Sequence, residues 1–149
     1  MAFRAQAKYW IPAVAWAGVI SLLSTDSFSS EHTSRFIIPV LHWVFPCASV
    51  ETLDVLHAVI RKCAHLTEYF ILGILLYRAL RGEDWGWKLK WAVWAVVIAA
   101  GYASLDEFHQ VFVPSRTASP WDASLDTVGA SIAQFVLWLS WKLRAKPDL

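Results

Sequence analysis

The chain has 149 residues, and its composition is more apolar than that of an ordinary soluble domain. Hydrophobic residues make up 57% and charged residues 17%, whereas soluble domains have about 45–50% and about 25%. The formal net charge of +1 gives no case for a nucleic-acid partner. We therefore expect one domain over residues 1–149, built from apolar segments long enough to cross a membrane.

Four apolar segments are candidates for crossing, which takes about 20 residues each. In chain order they are about Tyr9–Leu23, Ala58–Leu80, Lys90–Leu105 and Trp121–Leu143. We interpret the first as a retained span, because it lacks the clean cleavage site of a signal peptide. The expected fold is all-α, a bundle of four transmembrane helices.

The long connection at about residues 24–57 is expected to lie on the outer side. Its segment RFIIPVLHWVF is apolar but too short to span, so it is predicted to form an interfacial segment or helix. Pro39 and Pro46 interrupt it, which argues against a long regular helix.

Basic residues collect on one side of a chain that crosses four times. By the positive-inside rule this side is cytoplasmic, which places both termini in the cytoplasm. The residues concerned are Arg4, Lys8, Arg78, Arg81, Lys88, Lys90, Lys142, Arg144 and Lys146.

Polar residues lead the second apolar segment. A helix turns about 100° per residue, so Arg61, Lys62, His65, Glu68 and Tyr69 share one face. Ionisable residues inside a span are costly and by default mark a functional site.

The third segment ends in a second polar group. Asp106, His109 and Gln110 point in one direction, and Glu107 lies about 100° from Asp106. By the predicted topology this end lies at the same outer boundary as the start of the second segment.

The fourth segment begins with polar residues in the motif SPWDASLDTVG. Asp122 and Asp126 share a stripe with Gly129 and Ala133, and small residues there let helices approach closely. Asp122 is equally consistent with a helix-capping role, because Ser119 and the following proline are typical of a helix start.

Taken in chain order, these motifs resemble those of the VanZ-like family of bacterial membrane proteins. The matching segments are RKCAHLTEY, DEFHQVFVPSR and DASLDTVG, and the resemblance covers about residues 9–143. The family usually has Asn at the position of Asp126, so one further carboxylate is expected here. The resemblance implies a multi-pass protein of the bacterial cytoplasmic membrane. It also implies a link to tolerance of the glycopeptide teicoplanin, and glycopeptide chemistry takes place at the outer membrane face.

We therefore predict an anion-binding site at the outer face that binds or processes a phospholipid headgroup or lipid-linked phosphate, as a hydrolase or transferase. Arginine and lysine would hold the phosphate, and a histidine would act as general acid or base. Glu107 is included on the family pattern more than on geometry. Candidate catalytic residues are His65, Asp106, Glu107 and His109, and candidate binding residues are Lys62, Tyr69, Gln110, Arg116, Asp122 and Asp126.

Two other hypotheses stay open. The polar cluster is also consistent with an ion-pair network that only fixes helix packing. The pairs His65–Glu68 and Asp106–His109 have the spacing of metal ligands in helix bundles, although nearby cations oppose a metal's charge. No cofactor is otherwise expected, and the sequence leaves open whether Cys47 and Cys63 form a disulfide.

Overall fold

The computed structural model of the chain describes residues 2–25, 29–113 and 119–144. All regular secondary structure in these ranges is helical, which confirms the all-α class. Arg116 lies outside the described residues. The helices are α1 (Ala2–Leu23), α2 (Ser30–Val44), α3 (Val50–Arg81), α4 (Leu89–Gln110) and α5 (Pro120–Arg144).

The four predicted apolar segments correspond to α1, α3, α4 and α5. Helix α3 begins at Val50 rather than near Ala58, because the Ser49 side chain caps it by accepting from the Thr52 amide. Within the described ranges, α4 is the one helix that is long and apolar enough to cross a membrane by these measures.

The connection between the first two segments contains a regular helix, which corrects the expectation drawn from its prolines. The 15 residues of α2 run through Pro39. A single internal proline removes one backbone hydrogen bond and can bend a helix without ending it. Pro46 does act as a stop, because the residue before a proline avoids helical geometry and Phe45 has φ −124° and ψ 69°.

Helices α3 and α5 run in the same direction, side by side. Lys62 faces Asp122 near the start of both helices, and further along the Gln134 side chain donates to the Gly73 carbonyl at 2.9 Å. Helices α1 and α4 also run parallel to each other, since the Tyr102 hydroxyl donates to the Ala17 carbonyl at 2.6 Å.

The interior of the bundle is made mostly of small side chains, whereas many large apolar side chains point outward. This pattern brings helix backbones close together, as in membrane bundles. Small buried residues are Ala92, Ala95, Ala99, Ala103, Gly129, Ala130 and Ala133. Large exposed ones include Ile11, Val55, Trp94, Leu105, Phe108, Phe135 and Leu143.

The basic helix ends meet at one end of the bundle. The Lys8 ammonium lies 3.1 Å from the Glu83 carboxylate, which joins the start of α1 to the turn after α3. The ends of α3 and α5 share a cleft lined by Arg81 and Arg144. The residues predicted to form the functional site lie at the opposite end, where α1 and α4 finish and α5 begins.

Candidate functional site

Two charged pairs join α3 to α5 at the polar end. The Lys62 ammonium donates to Asp122 Oδ1 at 3.4 Å, and the Lys62 side chain is 61% exposed. One turn deeper, His65 Nδ1 lies 3.7 Å from Asp126 Oδ1, and the Asp126 side chain is only 1% exposed. The parallel run of the two helices makes both pairs possible, because equal steps along each helix keep the residues level. The predicted convergence of these four residues is therefore present.

A close backbone contact sets the distance between α3 and α5 at this level. A Cβ added to Gly129 would lie 2.5 Å from the Leu66 carbonyl oxygen. Leu66 follows His65 directly, and Gly129 lies one turn after Asp126. The absence of a side chain at Gly129 thus lets Asp126 reach the histidine.

Asp106 is held by two protein donors. The Ser24 hydroxyl donates to Asp106 Oδ2 at 2.6 Å, and the Gln110 amide donates to the same oxygen at 3.1 Å. All three side chains are buried. Ser24 was not predicted, because a serine after an apolar segment carries no signal of its own. These bonds link the end of α1 to α4.

Glu107 and His109 exchange the places that helical spacing predicts for them. Glu107 is buried and accepts from the Ser119 amide at 2.8 Å, which ties the end of α4 to the start of α5. His109 is exposed, so the structure does not bring it into the cluster. The reason is that α4 has neighbours on two sides, and its buried arc reaches from Asp106 round to Glu107 without including His109.

Tyr69 occupies the middle of the cluster. It is 0% exposed, and its hydroxyl has no hydrogen-bond partner among the described residues. It lies within electrostatic reach of both Asp106 and Asp126. A phenol in this position offers one donor toward the centre of the site.

Two small clefts open beside His65. One of about 180 Å³ reaches Thr33 of α2 and Glu68 of α3, and one of about 120 Å³ reaches Lys62 and Asp122. Arg61 and His65 line both of them. The histidine therefore sits between a basic rim and a deeper acidic side chain.

Charge is ordered by depth at this end. Asp126 is under the electrostatic influence of four other carboxylates, which are Glu107, Asp106, Glu68 and Asp122. Arg61 and Lys62 lie about one turn nearer the start of α3 than His65 does. Within the described residues, no group of three or more His, Cys, Asp and Glu side chains is arranged to hold a metal ion.

Together these observations define a small helical protein whose polar residues meet at one end of an otherwise apolar bundle. The family model described as VanZ/LLP1 matches residues 9–141. The chain therefore belongs to the VanZ/LLP1 family, which confirms the resemblance seen in its motifs. No curated protein sequence matches the chain, and no solved structure does.

Proposed function

We propose that α1, α3, α4 and α5 cross the bacterial cytoplasmic membrane, and that the polar end binds and processes a phosphorylated lipid headgroup at the outer face. The outward-facing large apolar side chains support the membrane location, because a soluble protein rarely exposes so many. On α2 the exposed residues Phe36, Val40, Trp43 and Val44 fit an interfacial helix.

The length of α3 supports the proposed depth of the site. Its 32 residues extend about 48 Å at 1.5 Å per residue, whereas the hydrocarbon core is about 30 Å thick. If Arg81 marks the inner boundary, about 20 residues of helix place Arg61 at the outer boundary. His65 then lies one turn below it, within reach of a headgroup.

The proposed orientation is tested by thiol labelling. Cys47 and Cys63 are both free thiols and both exposed, and Cys47 lies between α2 and α3. A membrane-impermeant maleimide should label Cys47 in intact cells. In a variant that lacks both native cysteines, Glu83→Cys should label only after the membrane is permeabilised. Equal labelling of the two positions in intact cells would contradict the orientation.

One observation carries the proposed chemistry: His65 lines both clefts beside Arg61, with the buried Asp126 close to its Nδ1. A carboxylate next to one ring nitrogen can orient a histidine that acts as general acid and base. Lys62 is exposed, and its long contact with Asp122 is of the weak surface kind. A phosphate can therefore replace that contact at small cost.

In the proposed reaction, Arg61 and Lys62 hold the phosphate oxygens while His65 takes a proton from an attacking water or alcohol. The attacking oxygen bonds to phosphorus, the P–O bond to the leaving alcohol breaks, and the proton passes to that alcohol. Asp106 and Glu107 accept hydrogen bonds from protein groups, so we assign them to positioning the helices rather than to proton transfer.

The experiment offers phosphatidic acid and a polyprenyl phosphate in mixed micelles to the purified full chain. Release or transfer of phosphate is expected from the parent protein and not from His65→Gln. Lys62→Gln should raise KM more than it lowers kcat, since it removes a binding cation. His42→Gln, an exposed histidine of α2, is the matched control. Absence of both turnover and saturable binding in the parent would refute the proposal.

The hydrogen bonds around Asp106 favour a second candidate, in which the polar cluster only locks the bundle. Ser24 and Gln110 already satisfy this carboxylate from two helices. Asp106→Asn distinguishes the two functions. In a scaffold the change lowers the melting temperature first, and no activity or ligand binding exists to be lost.

A further inference from the structure

A larger cleft lies at the other end of the bundle, far from the proposed site. Its volume is about 500 Å³, and it opens between the end of α3, the turn that follows and the end of α5. The residues that matter for its chemistry are Arg81, Arg144, Trp85, Trp87, Trp141 and Ser140.

The polar groups lining this cleft are donors, and no carboxylate is among the lining residues. Arg81 Nε and Trp87 Nε1 are buried and have no hydrogen-bond partner among the described residues. An unsatisfied buried donor is costly, so these two groups favour an acceptor from outside the chain. Two cationic guanidinium groups specify that the acceptor is an anion.

The neighbouring acids are engaged elsewhere. Glu83 lies 3.1 Å from the Lys8 ammonium, and Asp84 lies 3.3 Å from the Lys88 ammonium. Neither arginine of the cleft forms an ion pair with a carboxylate in the described part of the chain. The positive charge of the cleft is therefore not neutralised by these acids.

The apolar part of the cleft is aromatic. Trp85 is 93% exposed. The turn at Gly86 has φ +80°, a conformation that favours glycine, and it leaves room for the Trp141 indole. Exposed tryptophan beside basic residues is typical of the level where lipid headgroups meet acyl chains.

We propose that this cleft binds an anionic phospholipid of the cytoplasmic leaflet, with the phosphate against Arg81 and Arg144 and the glycerol region against Trp85 and Trp141. Basic clefts between helices on the cytoplasmic side are suited to such headgroups. The leaflet rests on the orientation proposed above, whereas the chemistry of the cleft is independent of the polar site. The ligand is thus bound as a resident lipid rather than as the substrate of His65.

The experiment is native mass spectrometry of the detergent-solubilised full chain, titrated with phosphatidylglycerol and with phosphatidylcholine. The test variant is Arg81→Gln with Arg144→Gln. The control is Arg78→Gln with Lys142→Gln, which removes the same charge from the same ends of α3 and α5 at exposed positions. At about 1 kcal/mol per basic residue, the test variant should bind phosphatidylglycerol roughly thirtyfold more weakly. The control should stay within about threefold of the parent.

A second variant keeps the charge and the ring. Trp87→Phe removes only the buried indole N–H, and it should weaken phosphatidylglycerol binding by about threefold to tenfold. This variant remains informative if the double arginine variant does not fold.

The outcomes separate the explanations. Equal binding of both lipids by the parent, or equal weakening by test and control variants, would overturn the proposal. Saturation of the cleft by glycerol phosphate at the same concentration as the lipid would mean that a soluble phosphate is the ligand. Phosphatase activity that disappears in His65→Gln but persists in the double arginine variant would keep the two sites distinct.

Discussion

Replacing Gly129 by alanine tests the contact that brings α3 and α5 together. The added Cβ would lie 2.5 Å from the Leu66 carbonyl oxygen, which is a backbone atom and cannot swing away. Ordinary van der Waals contact begins at 3.4 Å, so the helices must separate by several tenths of an ångström or more. Forcing one extra carbon into a packed interior costs about 1–3 kcal/mol.

The separation also acts on the polar end. His65 and Asp126 lie one residue before Leu66 and one turn before Gly129, and their 3.7 Å contact is already at the limit of an ion pair. We expect Gly129→Ala to lower the melting temperature in detergent and to weaken lipid-phosphate binding at the same time. Melting is followed by circular dichroism, and binding by titration with phosphatidic acid.

Gly101→Ala is the matched control. Gly101 lies within α4, and a Cβ there would meet nothing within 4 Å. Alanine favours a helix over glycine by about 1 kcal/mol, so this variant should be as stable as the parent or more stable. If Gly129→Ala melts at or above the temperature of Gly101→Ala, the close contact does not limit the spacing of α3 and α5, and the account of the site fails with it.

Two further predictions concern the outer end. Ser24→Ala removes the 2.6 Å bond to Asp106 and leaves that buried carboxylate with Gln110 alone, which should cost about 1–3 kcal/mol of stability in chemical unfolding. Burial, and second the Arg61 guanidinium, lowers the pKa of His57 from its ordinary value of 6.5. Because the unfolded chain then binds the proton more tightly, stability is present above about pH 6.5 and is lost as the pH falls.

Each of these has its own comparison. Ser21→Ala should cost less than Ser24→Ala, since Ser21 is exposed and Tyr102 keeps its bond to the Ala17 carbonyl. For the histidine, the parent should lose more thermal stability than His57→Gln between about pH 7.5 and about pH 5.5. Identical pH profiles would show that another group controls the acid sensitivity.

Helix boundaries were partly predictable, and the misses have identifiable causes. The start of α3 was placed too late because apolar content was used to find it, although Ser49 and Thr52 carry a capping signal in the sequence. The expectation for Pro39 was wrong because one internal proline does not outweigh the other residues of a helix. Pro46 ended α2 as the rule for the preceding residue predicts.

The site shows the same division between local and non-local information. Spacing on a single helix correctly grouped Lys62 and His65, because both belong to the face of α3 that meets α5. The same spacing favoured His109 over Glu107 on α4. That choice required knowing that α4 is covered from two sides, which no periodicity within one helix reveals.

The amino-acid sequence by itself determined that the chain is helical and that its polar residues end up at one end of each apolar segment, because apolar length and residue spacing are local properties. Only the tertiary structure decided that Ser24 holds Asp106, that Glu107 is buried and that His65 faces Asp126. Those partners depend on how far each helix is rotated about its axis. Rotation is set by contacts between helices distant in the chain, above all where Gly129 rests against Leu66.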